Sequence, residues 1–227
     1  MGSTGHRGMN IGDRRRGTNG LRWYQVVYRL IYRVGLNVWQ RTAPPTELIA
    51  LVEGASPLAP GRALELGCGT GTDAIYMASH GWDVTAIDMV PKALATARRN
   101  ATAADVAPRF IQGDVTRLDD LSVGNGYTLL LDFGCFHTLP DDRRPAYVTS
   151  VSGAAAPGAT LLLYGFKRPP KAAPLHAGLT ADEVQLRFGQ AGWQLVDAKP
   201  TSADTPRATR AAERFELWYY QLRRTRN

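Results

Sequence analysis

From residue 62 onward the hydrophobic positions fall into two patterns that take turns along the chain. Short apolar runs at residues 63–66, 83–87, 109–112, 127–131 and 160–164 predict strands. Segments with helical spacing at 71–80, 92–104 and 143–156 lie among them, and Thr180 caps a further helix running to residue 190. Residues 193–197 and 214–220 close the series as two strands with no helix between them, which predicts an antiparallel pair at one edge. The runs at 127–131 (YTLLL) and 160–164 (TLLLY) have no polar face, as expected of central strands buried on both sides. The pattern predicts an α/β fold: a doubly wound sheet of about seven strands, mostly parallel with an antiparallel edge strand, and helices on both faces.

Ahead of this domain the pattern changes. Residues 21–40 read as one helix in which Arg22, Gln25, Arg29, Arg33, Asn37 and Gln40 form a narrow polar stripe, and nearly all else is apolar or aromatic. Such a helix buries most of its circumference. It does so either against the domain or in a membrane interface, with Trp, Tyr and Arg at headgroup level. Thr42-Ala43-Pro44-Pro45 ends it, and Pro45 opens the next helix, Thr46–Glu53. Residues 1–20, rich in Gly and Arg, are expected to be a disordered basic tail. The organisation expected is therefore a tail over 1–20, a helical arm over 21–60 and a ligand-binding domain over 61–227.

Charge sharpens that division. The chain carries 27 Lys and Arg against 20 Asp and Glu, a surplus of +7. Residues 1–41 hold eight of those bases, all Arg, and one acid, Asp13, whereas residues 42–227 hold 19 of each sign. A neutral body argues against the basic groove that a nucleic-acid partner requires. Two cysteines, Cys68 and Cys135, are too few for a disulfide framework and point to a reducing, cytoplasmic setting. No run of 18 apolar residues and no leader pattern at the N-terminus point to a membrane span or to secretion. No Cys/His/Asp cluster has metal-ligand spacing, so no metal is expected.

Ligands of doubly wound sheets bind beyond the carboxyl ends of the strands. The first of those ends reads Glu65-Leu66-Gly67-Cys68-Gly69-Thr70-Gly71, followed by Thr72 and Asp73. Glycines at alternate positions let the backbone turn tightly beside a ligand, and the helix that follows offers free N–H groups. Asp88 ends the next strand, seventeen residues after Gly71, where a carboxylate can accept hydrogen bonds from a ribose diol. Asp114 follows the third strand. A dinucleotide turn has the spacing G-x-G-x-x-G, whereas this one is G-x-G-x-G between two acids, Glu65 and Asp73. That charge would repel a pyrophosphate and suits a cationic ligand.

ELGCGTG, VTAID and GD resemble the first three binding motifs of the class I S-adenosylmethionine-dependent methyltransferases, a likeness that covers residues 60–165. The resemblance implies a Rossmann-like fold, S-adenosyl-L-methionine as cofactor and S-adenosyl-L-homocysteine as product. It implies that Glu65, Gly67, Cys68, Gly69, Thr70, Gly71 and Asp73 hold the methionine part, and that Asp88 and Met89 meet the ribose. Asp114 and Val115 border the adenine, with Asp132 and Phe133 completing the cofactor-binding set. The segments LLDFGCFHTLPDDRRPAYV and PGATLLLYGF are similar to those of the thiopurine, thiol/halide and tellurite-resistance methyltransferases. In that group the N-terminal arm is a lid over the acceptor. The resemblance accordingly implies a pocket formed by Tyr32, Trp39, Phe133, Cys135, Phe136, His137 and Phe166. Thiopurine enzymes have an Arg where this chain has Phe133, which suggests a more apolar acceptor.

Methyl transfer by in-line displacement asks the protein chiefly to align an acceptor and exclude water. A small-molecule acceptor is expected, either a thiol or an aromatic O, N or S heteroatom. His137, with Asp132 near it, is the candidate general base for a phenol or a ring N–H; the other reading makes it a structural residue of a turn. Two alternatives from other classes remain: an NAD(P)-dependent oxidoreductase on the same sheet, and a membrane-associated, non-catalytic binding protein. Neither oligomeric state nor the acceptor's identity can be read from the residues.

Overall fold

The computed structural model describes residues 41–167, 178–201 and 216–225. The arm helix, the basic tail, Tyr32 and Trp39 lie outside the described residues. Helix α1 (Thr46–Glu53) precedes a regular alternation: β1 (Arg62–Leu66), α2 (Thr72–Ser79), β2 (Asp83–Asp88), α3 (Pro91–Ala103) and β3 (Arg109–Gln112). Then come β4 (Tyr127–Phe133), α4 (Arg144–Ala154), β5 (Ala155–Phe166), α5 (Ala181–Gly189), β6 (Trp193–Pro200) and β7 (Leu217–Arg224). The ends follow local chemistry. Pro91 opens α3, where a missing N–H costs nothing. Thr180 Oγ1 accepts from Glu183 N at 3.2 Å to start α5.

The seven strands form one sheet in the order β3-β2-β1-β4-β5-β7-β6. Five are parallel neighbours, and β7 runs antiparallel to both β5 and β6. The expected antiparallel pair is therefore at the edge, with the reversed strand β7 as its inner member and β6 outermost. Side-chain alternation splits the core between two faces. Leu129, Leu131, Leu162 and Tyr164 pack with Leu48 of α1, Met77 of α2 and Leu94 of α3. Leu130, Leu161, Leu163 and Tyr220 pack with Tyr147 and Val151 of α4 and Phe188 of α5. No helix among the described residues is long and apolar enough to cross a membrane.

The strand order reverses between β1 and β4, which diverge into connections on opposite faces. The carboxyl ends of β1, β2 and β4 thus open onto one crevice, as such a switch point requires.

Candidate active site

The turn after β1 is built so that backbone, not side chains, lines the crevice. Gly67 and Gly71 have φ values of +81° and +83°, a region costly for any residue with a Cβ. A Cβ on Gly67 would stand 3.0 Å from Cys135 Cβ, and one on Gly71 would stand 3.0 Å from Ala97 Cβ. The loop is hung on β2: Gly67 N and Cys68 N both donate to the Ile87 carbonyl, at 2.8 and 2.9 Å. Asp88 reinforces it, taking Gly69 N at 2.8 Å on Oδ2 and Val90 N at 2.8 Å on Oδ1. Burial raises the pKa of Asp88, opposed by those N–H bonds and that of Met89. Thr70 presents its carbonyl to Asn100 Nδ2 at 3.1 Å.

Glu65 stands at the end of β1 with 4% of its surface exposed, and its Oε2 has no hydrogen-bond partner among the described residues. Burial first, and then Asp73, push its carboxyl well above the usual range, while Arg41 pulls it back. A buried carboxylate oxygen without a donor is costly unless a ligand supplies one. Asp73, buried in the first turn of α2, pairs with Arg41, whose guanidinium lies 3.6 Å from the Phe133 ring centroid. These features fit the cofactor implied by the resemblance: a donor-seeking acid, a side-chain-free turn and a carboxylate at the ribose position. Arg41 carried no motif. Its only signal in the sequence was its place, the last of the arm's arginines, directly before the Pro–Pro start of α1.

Asp114 lies beyond β3 with both oxygens engaged. Oδ1 takes Thr116 N at 2.9 Å and Thr116 Oγ1 at 2.7 Å, and Oδ2 pairs with Arg143 Nη2 at 2.7 Å. Val115 beside it is buried in the core, and Met89 packs against the same cluster. Sequence spacing found Asp114 but not Arg143, which reaches it from 29 residues away.

The acceptor side follows β4. Asp132 is fully buried and accepts from Cys135 N at 2.6 Å, Phe136 N at 2.9 Å and Tyr147 Oη at 2.5 Å. Burial raises its pKa to about 7 against the pull of the Tyr147 hydroxyl and these N–H groups. Its carboxylate ties the turn at Phe136–Thr138 to α4, so it faces the loop's own backbone instead of the crevice. Phe136 is likewise a core residue, with ring centroids 5.0 Å from Tyr147 and 5.4 Å from Phe188. His137 is buried edge-on to Phe166, at 5.6 Å between centroids, and bonds to the Tyr164 backbone. Burial and then Arg144 lower its pKa to about 3, which keeps the imidazole neutral and makes it a weak proton acceptor. Of the two readings held for His137, that environment favours the structural residue of a turn. Buried Arg144 donates to the His137 carbonyl at 3.1 Å and pairs with Glu183 of α5 at 2.5 Å.

Phe133 and Cys135 are half-buried in this loop, and Phe133 pairs with Tyr164 of β5 at 4.6 Å between centroids. Both cysteines are free, and burial raises both thiol pKa values. Cys68 packs on the α2 face of the sheet and Cys135 against the other, which removes any reason to pair them. No group of three or more metal-binding side chains lies together among the described residues.

The methyltransferase-domain family model matches residues 63–158 of this chain. The chain is 30% identical over 188 residues to the 27-O-demethylrifamycin SV methyltransferase of Amycolatopsis mediterranei, covering 75% of this chain and 68% of that one. It is 27% identical over 167 residues to the 2-heptyl-1-hydroxyquinolin-4(1H)-one methyltransferase of Mycobacteroides abscessus, covering 71% and 70%. Among solved structures, the Burkholderia thailandensis 1,6-didemethyltoxoflavin-N1-methyltransferase, with bound 1,6-didemethyltoxoflavin and S-adenosylhomocysteine, superimposes with a TM-score of 0.73. That match covers 95% of this chain and 93% of the other at 19% identity, a likeness of fold.

Proposed function

This chain belongs to the class I S-adenosylmethionine-dependent methyltransferases, and we propose that it methylates a small aromatic or thiol acceptor that attacks in its own nucleophilic form. Its cofactor is S-adenosylmethionine, which when bound supplies a methyl group activated on a sulfonium. The observation that carries the reading is Glu65: a buried acid with an unpartnered oxygen, set beside a glycine turn that Asp88 holds in place. In this reading Glu65 takes the ammonium of the methionine part and Asp88 the ribose diol, while Asp114 and Val115 border the adenine. Gly67, Gly69 and Gly71 keep Cβ atoms out of the way.

Phe133, Tyr164 and Cys135 give the acceptor an aromatic and weakly polar wall. Two similar proteins are named for heteroaromatic acceptors, a hydroxyquinolone and a didemethyltoxoflavin, which supports the aromatic class. Asp132, already accepting three hydrogen bonds, and His137, neutral and buried, hold the acceptor loop in shape and take no proton from the acceptor. An acidic hydroxyl or a thiol ionises near neutral pH without help, and a ring nitrogen attacks with its own lone pair. Tyr32 and Trp39 complete the acceptor side as part of a lid.

Calorimetry tests the cofactor and an acceptor screen tests the class. S-adenosylhomocysteine should bind where nicotinamide nucleotides do not, and a hydroxylated or mercapto heterocycle should turn over. For a series of such acceptors, the pH midpoint of kcat/KM should track each acceptor's own pKa. A midpoint that stays fixed across the series would reveal an enzymatic base and refute this mechanism. Deleting residues 1–20 should leave turnover intact, whereas deleting 1–40 should abolish it; equal activity of the two truncations removes the lid.

A further inference from the structure

A further polar cluster stands at the carboxyl end of the sheet, beside the crevice that β1, β2 and β4 share. Because β5 and β6 both run antiparallel to β7, they are parallel to each other, and their carboxyl ends lie at the same edge. Glu47, half-buried in the first turn of α1, reaches that edge. Its Oε2 accepts from Tyr164 Oη of β5 at 3.0 Å, and its Oε1 accepts from Thr201 Oγ1, just beyond β6, at 2.7 Å. Thr201 is itself anchored, since its backbone N–H donates to the Leu217 carbonyl of β7 at 2.9 Å. Two hydroxyls from two strands thus fix one carboxylate in one orientation.

What Glu47 lacks is a counter-charge. Asp73 has Arg41, Asp114 has Arg143, Glu183 has Arg144 and Asp197 has Lys199. Glu47 has two neutral hydroxyls and, among the described residues, no cation at ion-pair distance. Hydroxyls leave its charge uncancelled and fill only part of the acceptor capacity of two carboxylate oxygens. A brace between α1 and the strands would need only an oxygen, which an amide supplies equally well. A half-buried, unpaired carboxylate costs more than an amide unless a positive group comes to it. Its neighbours suit such a group. The Tyr164 ring lies 4.6 Å from that of Phe133, on the acceptor wall, and 6.3 Å from that of Tyr219. An acceptor resting against this wall finds Glu47 one hydrogen bond beyond it, among aromatic rings that favour a cation.

We propose that Glu47 reads a positive charge on the acceptor, so that the substrate is an aromatic compound bearing an amine or another protonated nitrogen. The cation is a handle that orients the ring, and the methylated atom lies elsewhere on it. The assignment rests on the aromatic-acceptor reading above and narrows it.

Calorimetry on the full chain, saturated with S-adenosylhomocysteine, tests this with three phenols of one skeleton and different charge. They are tyramine, positive; 4-ethylphenol, neutral; and 4-hydroxyphenylpropanoate, negative. The natural protein should bind tyramine roughly tenfold more tightly than 4-ethylphenol, the size expected of a charge-assisted hydrogen bond, and the propanoate most weakly. Glu47→Gln should weaken tyramine by about tenfold, leave 4-ethylphenol within about twofold and tighten the propanoate. Glu47→Asp should fall between for tyramine, because it keeps the charge and shortens the reach. Opposite shifts for the cation and the anion are what a merely structural role cannot produce. Retained S-adenosylhomocysteine binding shows that each variant is folded. If Glu47→Gln moved all three phenols together, or the natural protein did not prefer tyramine, the proposal would be overturned while the aromatic reading stood. If none of the three bound, the aromatic reading would fall and the proposal with it.

Discussion

Strands β1 and β4 lie side by side, and each carries a buried carboxylate at its carboxyl end, yet the two acids have opposite surroundings. Glu65 at the end of β1 keeps an oxygen without a donor, whereas Asp132 of β4 accepts from Cys135 N, Phe136 N and the Tyr147 hydroxyl. Burial raises the pKa of both. The difference lies in the loops that follow. After β1 the chain turns through glycines and is held by Asp88 and the Ile87 carbonyl, so only the Ala74 N–H of α2 comes back to Glu65 and its Oε2 stays without a partner among the described residues. After β4 the chain coils at once into a short turn whose N–H groups close onto Asp132. An acid at a strand end keeps an oxygen open where the loop leads away from it, and is saturated with donors where the loop folds back.

The contrast can be broken at either acid. The largest expected effect is on stability against pH at Asp132. Its folded pKa of about 7 lies above the roughly 3.9 of an unfolded chain, so between those values the folded state holds the proton more tightly. The stability this provides is fully present below about pH 4 and is lost as pH rises through 7, roughly 4 kcal/mol at 1.36 kcal/mol per unit. Denaturant melts at pH 5 and pH 8 should show about 2.7 kcal/mol of that loss in the natural protein, two units at 1.36 kcal/mol each, and a much flatter response in Asp132→Asn. Next, Asp132→Ala at neutral pH should cost about 3 kcal/mol in the same melts, because buried donors of the turn and Tyr147 are left unmatched. If its stability stayed within 0.5 kcal/mol or so, the scaffolding role would be gone.

Glu65→Gln should do the reverse. Replacing a buried carboxyl whose Oε2 lacks a partner should leave the melting temperature unchanged or raised, while S-adenosylhomocysteine affinity falls about 10- to 100-fold. A large drop in stability without loss of affinity would place Glu65 with Asp132 as scaffolding. Smallest of all, Tyr147→Phe should cost about 1.5 kcal/mol at pH 8 and less at pH 5, since the lost hydroxyl bond favours the ionised Asp132.

The same contrast explains what could be read beforehand. Patterning located every strand and α-helix of the described residues, with α1 and β3 matching to the residue, but not the short turns of helix at Leu118–Leu121, Phe136–Thr138 and Asp141–Arg143. Strand ends were shorter in the reading: β5 spans Ala155–Phe166, with a register shift between Ala155 and Thr160, where the reading ran the helix on to 156 and began the strand at 160. The acids Glu65, Asp88 and Asp114 were legible because a periodic fold fixes where strands end. Partners from distant segments were not. Arg41, Arg143 and Tyr147 reach their acids across 32, 29 and 15 residues, distances that no local motif encodes. The roles of Asp132 and His137 turned on burial, which the residues beside them did not declare.

The place of β7 bears on how the chain acquires its fold. Among the described residues strand β6 has no sheet neighbour except β7, and β7 also pairs with β5 from Thr160 to Phe166. Because β6 precedes β7 in the chain, its sheet partner is made after it, and β7 is what bridges it to β5. The parallel part of the sheet can assemble as it is made, while the last two strands add in a single late step. Folding intermediates of this protein should therefore expose β5 as a sticky edge, and changes within β7 should be felt as aggregation during expression before they are felt as lost chemistry.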